Sequence, residues 1–285
     1  MQPHHQSINS KFRKTDNVVL SDSDAAFYKY LSVKIWGNIP SPIQRKLSKI
    51  YTKIYDTPLS KQFIKPYCKF HYNDPNYLDQ FKPPNGKTRY ESFQDFFIRQ
   101  LKEVPLTRSF SVWPCEGLLC DLEKVKDIKD ISVKGDISTV YNIFGLKEGD
   151  IPEDYTFSNV FLHNKNYHRI HTPITGTISR IQHIKGDLVV LRPWIYKHNP
   201  SLPAFRNERV NIDIVDGLGR TWYLSVVGGP AVGTIELPEK VAVGNTIEKL
   251  DELALFYLGS TCCMAAPIAP KHNEKNSLVE VGNTY

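Results

Sequence analysis

The sequence predicts an α+β protein in which N-terminal helices pack on a mostly antiparallel β-sheet or barrel-like core. Three observations carry this expectation. The first third is patterned for helices. The remainder is a succession of short β-prone runs divided by Gly, Pro, Asn and Asp. The 285 residues are 41% apolar, enough for one large buried core or two small ones. The composition belongs neither to a disordered chain nor to a disulfide-stapled miniprotein. No run approaches the roughly 18 apolar residues of a membrane-spanning helix.

The elements follow in order. Residues 1–25 are polar and lack the apolar stretch of a secretory signal, so they are expected as a disordered leader. Pro42 opens PIQRKLSKIYTKIY, where Ile43, Leu47, Ile50, Tyr51 and Ile54 recur at helical spacing. The turn-rich NDPNYLDQFKPPNGKT reads as loop. A second helix is expected across 91–102, with Ser92 near its start and Phe93, Phe96, Phe97 and Leu101 on one face. From about Ser111 come the strands: SVWP, NVFLH, TGTISRIQHI, DLVVLR, ERVNIDIV, RTWYLSVVG, GTIELP and LALFYLGSTCCM. Residues 26–105 thus form a basic helical segment and 106–285 a β-rich core. One loose internal echo relates HTPITGTISRIQHIKGDLV to KVAVGNTIEKLDELALFYLG.

Net charge is +6, and it is concentrated. Between Tyr28 and Lys69 nine basic residues face a single acid, Asp56, so the rest of the chain is slightly acidic. Trp36, Phe27, Phe63 and several Tyr and Ile interleave with those charges. Such a segment suits an anionic surface, or else is a solvated face covering the core. No nucleic-acid-binding motif accompanies it. The five cysteines (Cys68, Cys115, Cys120, Cys262, Cys263) are scattered without paired CxxC spacing, against both a disulfide framework and a structural zinc site.

Two polar clusters could carry chemistry. Three of nine histidines fall in nine residues, His163, His168 and His171. No carboxylate or cysteine accompanies them at ligand spacing, which leaves acid/base work or a structural role. The other is Gly259-Ser260-Thr261 at the end of an apolar run. It reads as a turn, or as a serine beside a carbonyl that glycine leaves unshielded, with a histidine as base.

Taken together, HRIHTPITGTI and the later FYLGST resemble the phosphatidylserine decarboxylase family. WGNIP, SFQDFFIRQLK, WPCEG, VKG, FRNERV and VVGGPAVGTIE follow that family's order, so the resemblance spans roughly Trp36 to Met264. It implies a self-processing proenzyme whose cofactor is a pyruvoyl group made from Ser260, with no metal and no PLP. Ser260 would attack the carbonyl of Gly259, and elimination would yield a β chain ending at 259 and a 26-residue α chain. By position, His171 matches the family's base for the serine, Glu116 the carboxylate that orients it, and His168 the proton donor to the decarboxylated carbon. The implied partners are phosphatidylserine, an anionic membrane surface, the α and β chains of one precursor and a second copy in a homodimer. The implied location is peripheral on a membrane. A mitochondrial inner, a secretory-pathway and a bacterial inner membrane all fit.

The chain departs from the family pattern at three places. Glu116 stands for Asp, Asn166 for the Asp before Y-H-R, and Lys249-Leu250-Asp251-Glu252-Leu253-Ala254 lacks the two glycines of K-G-x-E-x-G. Two other readings follow: an unprocessed, non-catalytic lipid-binding homologue, and a pyruvoyl-dependent decarboxylase of a soluble amino acid.

Overall fold

A computed structural model describes residues 21–133, 136–196, 199–229, 235–257 and 260–285. Helix α1 (Asp22–Tyr30) is capped by Ser21, whose hydroxyl accepts from the Asp24 amide. After a π turn and a 3-10 turn comes α2 (Ser41–Tyr55), with proline in its first turn as the sequence indicated. Then come α3 (Ile64–His71), a 3-10 turn over Pro75–Gln80, β1 (Phe81–Lys82), α4 (Phe93–Phe97) and β2 (Gln100–Leu101).

Ser92 caps α4 as expected, but the helix foreseen over 91–102 ends at Phe97. Beyond it the carbonyls of Ile98 and Arg99 accept from Arg169 in place of helical amides, and the chain enters β2. The loop over residues 73–88 holds the 3-10 turn and β1 besides its turns.

The β-rich part runs β3 (Gly117–Lys124), β4 (Ile131–Val133), β5 (Asp136–Ser138), α5 (Val140–Ile143), β6 (Thr156–Leu162), β7 (Arg169–His171), β8 (Gly176–Ile184), α6 (Pro193–Tyr196) and α7 (Leu202–Arg206). It continues with β9 (Arg209–Asp216), β10 (Thr221–Gly228), β11 (Ile235–Glu236), β12 (Thr246–Ile247), β13 (Glu252–Phe256), β14 (Ser260–Ala266) and β15 (Leu278–Val279).

Eight strands form one antiparallel sheet in the order β12-β8-β9-β10-β14-β6-β3-β15, open at both edges among the described residues. The barrel alternative therefore gives way to a sheet. Three more strands, β11-β13-β7, form a second small sheet. SVWP and DLVVLR contribute single bridges, Val112 to Thr284 and Asp187 to Asn207, instead of strands. The apolar run LALFYLGSTCCM is divided between the two sheets, as β13 and β14. The two echoed segments lie side by side: Thr246 and Ile247 of one pair with Thr177 and Gly176 of the other.

β14 sits at the centre, between β10 and β6, and every residue in it is buried. Its side chains alternate between two cores. Cys262, Met264 and Ala266 join Trp113, Trp222 and the aliphatics of one face, while Cys263 and Ala265 join Phe144, Phe157 and Ile143 on the other. A third cluster, with Phe93, Phe96, Phe97, Tyr72 and Tyr77, joins the N-terminal segment to Tyr167, just before β7, and to Leu255 of β13.

Candidate active site

Ser260 is the first residue of β14 and is fully buried, paired with Gly228 of β10 and Leu162 of β6. Leu258 and Gly259, the other half of the expected cleavage site, lie outside the described residues. The strand β6 ends at Leu162, and a tight turn over His163–Asn166 returns the chain past Ser260. That return places His168 Nδ1 3.3 Å from Ser260 Oγ, with the imidazole stacked on Phe97 at 4.0 Å between centroids.

The other ring nitrogen of His168, Nε2, lies 3.0 Å from the carbonyl oxygen of His163. A carbonyl can only accept, so Nε2 carries the proton and Nδ1 presents its lone pair to the serine. A serine facing an unprotonated, oriented nitrogen is the geometry of an activated nucleophile.

His171 and Glu116 have other partners. His171 Nδ1 donates to the Leu250 carbonyl at 2.7 Å, and its Nε2 accepts from the Tyr167 hydroxyl at 3.0 Å. The buried Glu116 carboxylate accepts from Tyr77 Oη at 2.7 and 2.9 Å, from Asn166 Nδ2 at 2.8 Å and from the Tyr167 amide at 3.3 Å. Of the four residues singled out from the sequence, then, Ser260 and His168 meet directly. Glu116 and His171 join them through the segment Asn166-Tyr167. Gly117, next to Glu116, is required by close approach: a Cβ there would stand 2.3 Å from the Phe161 carbonyl oxygen, so any side chain would push β3 off β6.

One departure from the family pattern is answered in the backbone. Leu250, standing where the pattern carries glycine, keeps a left-handed φ of 70°. For a branched side chain this costs on the order of 1–2 kcal/mol. The conformation aims the Leu250 carbonyl at His171, and burial of the leucine side chain offsets the strain.

Residues the sequence did not single out complete the site. Buried Arg99 donates to the carbonyls of Lys165 (3.1 Å) and Asn166 (3.0 Å), while Tyr72 Oη donates to the Lys165 carbonyl at 2.5 Å. In return Arg169, held by an ion pair to Glu252, donates to the turn that follows α4. Two arginines thus fasten the helical segment and the site loop to each other. The motif SFQDFFIRQLK contained Arg99, but nothing in its spacing distinguishes it from a surface charge.

Burial lowers the pKa of His163, His168 and His171 below the ordinary 6.5. His163 reaches about 3, with Lys165, Arg192 and His71 adding to the effect of burial. All three rings are therefore neutral at pH 7. Because their folded values lie below the unfolded ones, their stabilising contribution is complete above pH 6.5 and is lost as pH falls toward the folded values. Each ring loses about 1.4 kcal/mol per pH unit there. Glu116, raised by burial against hydrogen bonds from Asn166 and Tyr77, works in the opposite sense as one group against three. The thermal midpoint is expected to fall by about 5–10 °C between pH 7.5 and 5.5. A midpoint flat across that range, followed by calorimetry, would contradict neutral burial of the rings.

A buried serine facing an oriented neutral histidine, at the head of a central strand, is the arrangement that a serine nucleophile and its base require. The family model described as phosphatidylserine decarboxylase matches residues 93–285. Similar curated proteins carry the name phosphatidylserine decarboxylase proenzyme. One from Psychrobacter arcticus is 28% identical over 260 residues, 85% of this chain and 91% of its own. One from Shewanella putrefaciens is 30% identical over 230 residues, 72% of this chain and 78% of its own. One from Pseudoalteromonas translucida is 28% identical over 249 residues, 79% and 83% of the two chains. The chain belongs to the phosphatidylserine decarboxylase family, pyruvoyl-dependent carboxy-lyases made as proenzymes.

Proposed function

We propose that this chain processes itself at Gly259-Ser260 and then decarboxylates phosphatidylserine to phosphatidylethanolamine at a membrane surface. The observation that carries the proposal is the approach of His168 Nδ1 to Ser260 Oγ inside a buried site. Ser260 Oγ attacks the Gly259 carbonyl carbon. Its proton passes to His168 Nδ1 and on to the departing nitrogen of residue 260, so that the peptide bond breaks as the ester forms.

Elimination from that ester, then hydrolysis with loss of ammonia, leaves the pyruvoyl group on the α chain, residues 260–285. The site fits such a group: it has a buried, water-excluding position, an adjacent ring able to carry a proton, and the serine that is its precursor. Once made, the group supplies an electron sink for the pair released with CO2. His168 is the proton carrier for the product carbon. His171 holds Tyr167, and Glu116 holds the loop.

A phospholipid substrate is supported by the surroundings. A groove of about 1580 Å³ runs between α1–α3 and the core to Phe161 and Asn164, beside the site loop. This exceeds the usual 300–1,000 Å³ of small-molecule pockets, and the lining is mainly apolar, with Trp36, Leu47, Phe63, Phe70 and Trp194.

Helix α2 is turned inside out. Gln44 and Ser48 are buried, Gln44 joining the Trp36 carbonyl to the Leu188 amide, while Ile43, Leu47, Ile50 and Ile54 are 44–58% exposed. This exposed apolar stripe, of which Leu47 and Ile54 also line the groove, lies amid Arg45, Lys46, Lys49 and Lys53 and suits a helix lying in an anionic interface. No helix among the described residues is long and apolar enough to cross a membrane.

The test is CO2 release from phosphatidylserine in vesicles compared with release from free serine and free aromatic amino acids. Turnover of the vesicle substrate, with the free amino acids at least about a hundredfold slower, is expected. Faster turnover of a free amino acid would establish the soluble-substrate reading.

A further inference from the structure

The groove between α1–α3 and the core carries its charge at one end. Of the described residues that line it, Arg192 alone bears a permanent charge, and no carboxylate is among them. Arg192 immediately precedes α6, is exposed, and rests its guanidinium on the Trp194 ring, 5.5 Å from the centroid. Among the described residues no carboxylate pairs with it.

Trp194 in turn packs edge-on against Phe161, 5.6 Å between centroids, and lies nearly parallel to His163 at 6.3 Å. Phe161 precedes Leu162, the β6 partner of Ser260. The groove also touches Asn164 and Gly229, the latter next to Gly228, the β10 partner of Ser260. Arg192 thus stands where the groove meets the reactive serine. Positive charge accumulates there: Lys165, Arg192 and His71 all act on His163 and, after burial, hold its ring neutral.

We propose that Arg192 binds the phosphodiester of the phospholipid whose chains occupy the groove, and so selects a phosphorylated headgroup over a free amino acid. The inference rests on the phospholipid substrate proposed above. Two anionic groups of phosphatidylserine could meet this arginine, and the chemistry separates them. The carboxylate leaves as neutral CO2, so a guanidinium bound to it would stabilise the ground state and lose its partner in the transition state. The phosphodiester keeps its charge from binding to product release. An arginine on it contributes uniform binding, felt in KM and not in kcat.

The planar fork of the guanidinium suits two phosphate oxygens, and its seat on Trp194 limits the freedom lost on binding. In the headgroup only an ester oxygen and two carbons separate phosphorus from amine. An amine brought to the buried position 260 therefore leaves its phosphate just outside, by the turn that Trp194 covers.

Short-chain lipids held below their micelle concentration separate this role from adsorption to a bilayer. With dihexanoyl phosphatidylserine, Arg192→Gln is expected to raise KM about ten- to hundredfold with kcat within about threefold of the parent. Arg192→Glu is expected to raise KM further. Dihexanoyl phosphatidylethanolamine has the phosphate without the carboxylate. Its affinity is expected to weaken by the same factor in calorimetric titration, a readout that needs no turnover. Arg192 is exposed, so the fold is expected to be retained, and circular dichroism checks it.

Unchanged affinity for the ethanolamine lipid would overturn the proposal, and a raised KM beside it would assign Arg192 to the carboxylate. An effect seen with vesicles but not with monomeric lipid would also overturn it, leaving Arg192 a surface charge only. A parent chain that releases no CO2 from phosphatidylserine, yet binds the ethanolamine lipid through Arg192, would instead refute the decarboxylation reading and leave the phosphate site standing.

Discussion

Ser260→Ala is expected to give a chain that stays intact at 32.7 kDa, folds like the parent and releases no CO2 from phosphatidylserine, a loss of at least about ten-thousandfold. On the proposed reaction, the substitution removes both the attacking oxygen and the precursor of the cofactor. It does so with little structural cost, because alanine fits the same buried strand position between Gly228 and Leu162.

The two histidines then separate the roles. His168→Ala removes the ring that faces the serine and is expected to slow cleavage by about 10²–10⁴-fold. His171→Ala removes the acceptor of the Tyr167 hydroxyl, 3.0 Å away, and is expected to slow it only about tenfold through the site loop. The opposite order, measured as appearance of the α chain over time, would return the base to His171, the role implied by its place in the motif.

The second large effect is on membrane binding. Replacing Ile43, Leu47, Ile50 and Ile54 together by Gln is expected to weaken binding to anionic vesicles about a thousandfold. Each partly inserted side chain contributes about 1 kcal/mol from buried apolar area, and four contribute about 4 kcal/mol. The fold should be unaffected because these side chains are already exposed, and Gln is a good helix former. Sedimentation with vesicles reads the affinity, and circular dichroism confirms the helix content. Unchanged binding would assign the face to something other than lipid. Raising salt should weaken the parent by screening its Lys and Arg, without removing the apolar share.

Different parts of this protein were legible to different depths, for identifiable reasons. Helix α2 was plain because its apolar residues keep helical spacing, but spacing is silent on which side faces the core. The burial of Gln44 and Ser48 is a tertiary fact, set by the Trp36 and Leu188 main-chain groups that Gln44 satisfies. The helix expected to reach Lys102 stops at Phe97, and the carbonyls just beyond it, of Ile98 and Arg99, accept from an arginine about 70 residues away that only the fold brings near. The run LALFYLGSTCCM hides a change of sheet, since hydrophobicity is continuous across it.

At the site, the serine and the histidine cluster were visible as residues, and the family pattern named their chemistry. Which histidine meets the serine was not visible, because His168 and His171 sit three positions apart on a segment whose direction depends on the turn at Asn166. Two departures from the family pattern, Glu116 and Asn166, looked unrelated 50 residues apart in the chain, yet they are hydrogen-bonded to each other.

The central claim, that this chain makes its own cofactor at Ser260, is tested most directly by the intact mass of the purified protein under denaturing conditions. The expected result is two chains, residues 1–259 and residues 260–285 of the sequence, the shorter one reacting with a carbonyl reagent at its N-terminus. A single 32.7 kDa species, unchanged on long incubation and blind to the reagent, would contradict it.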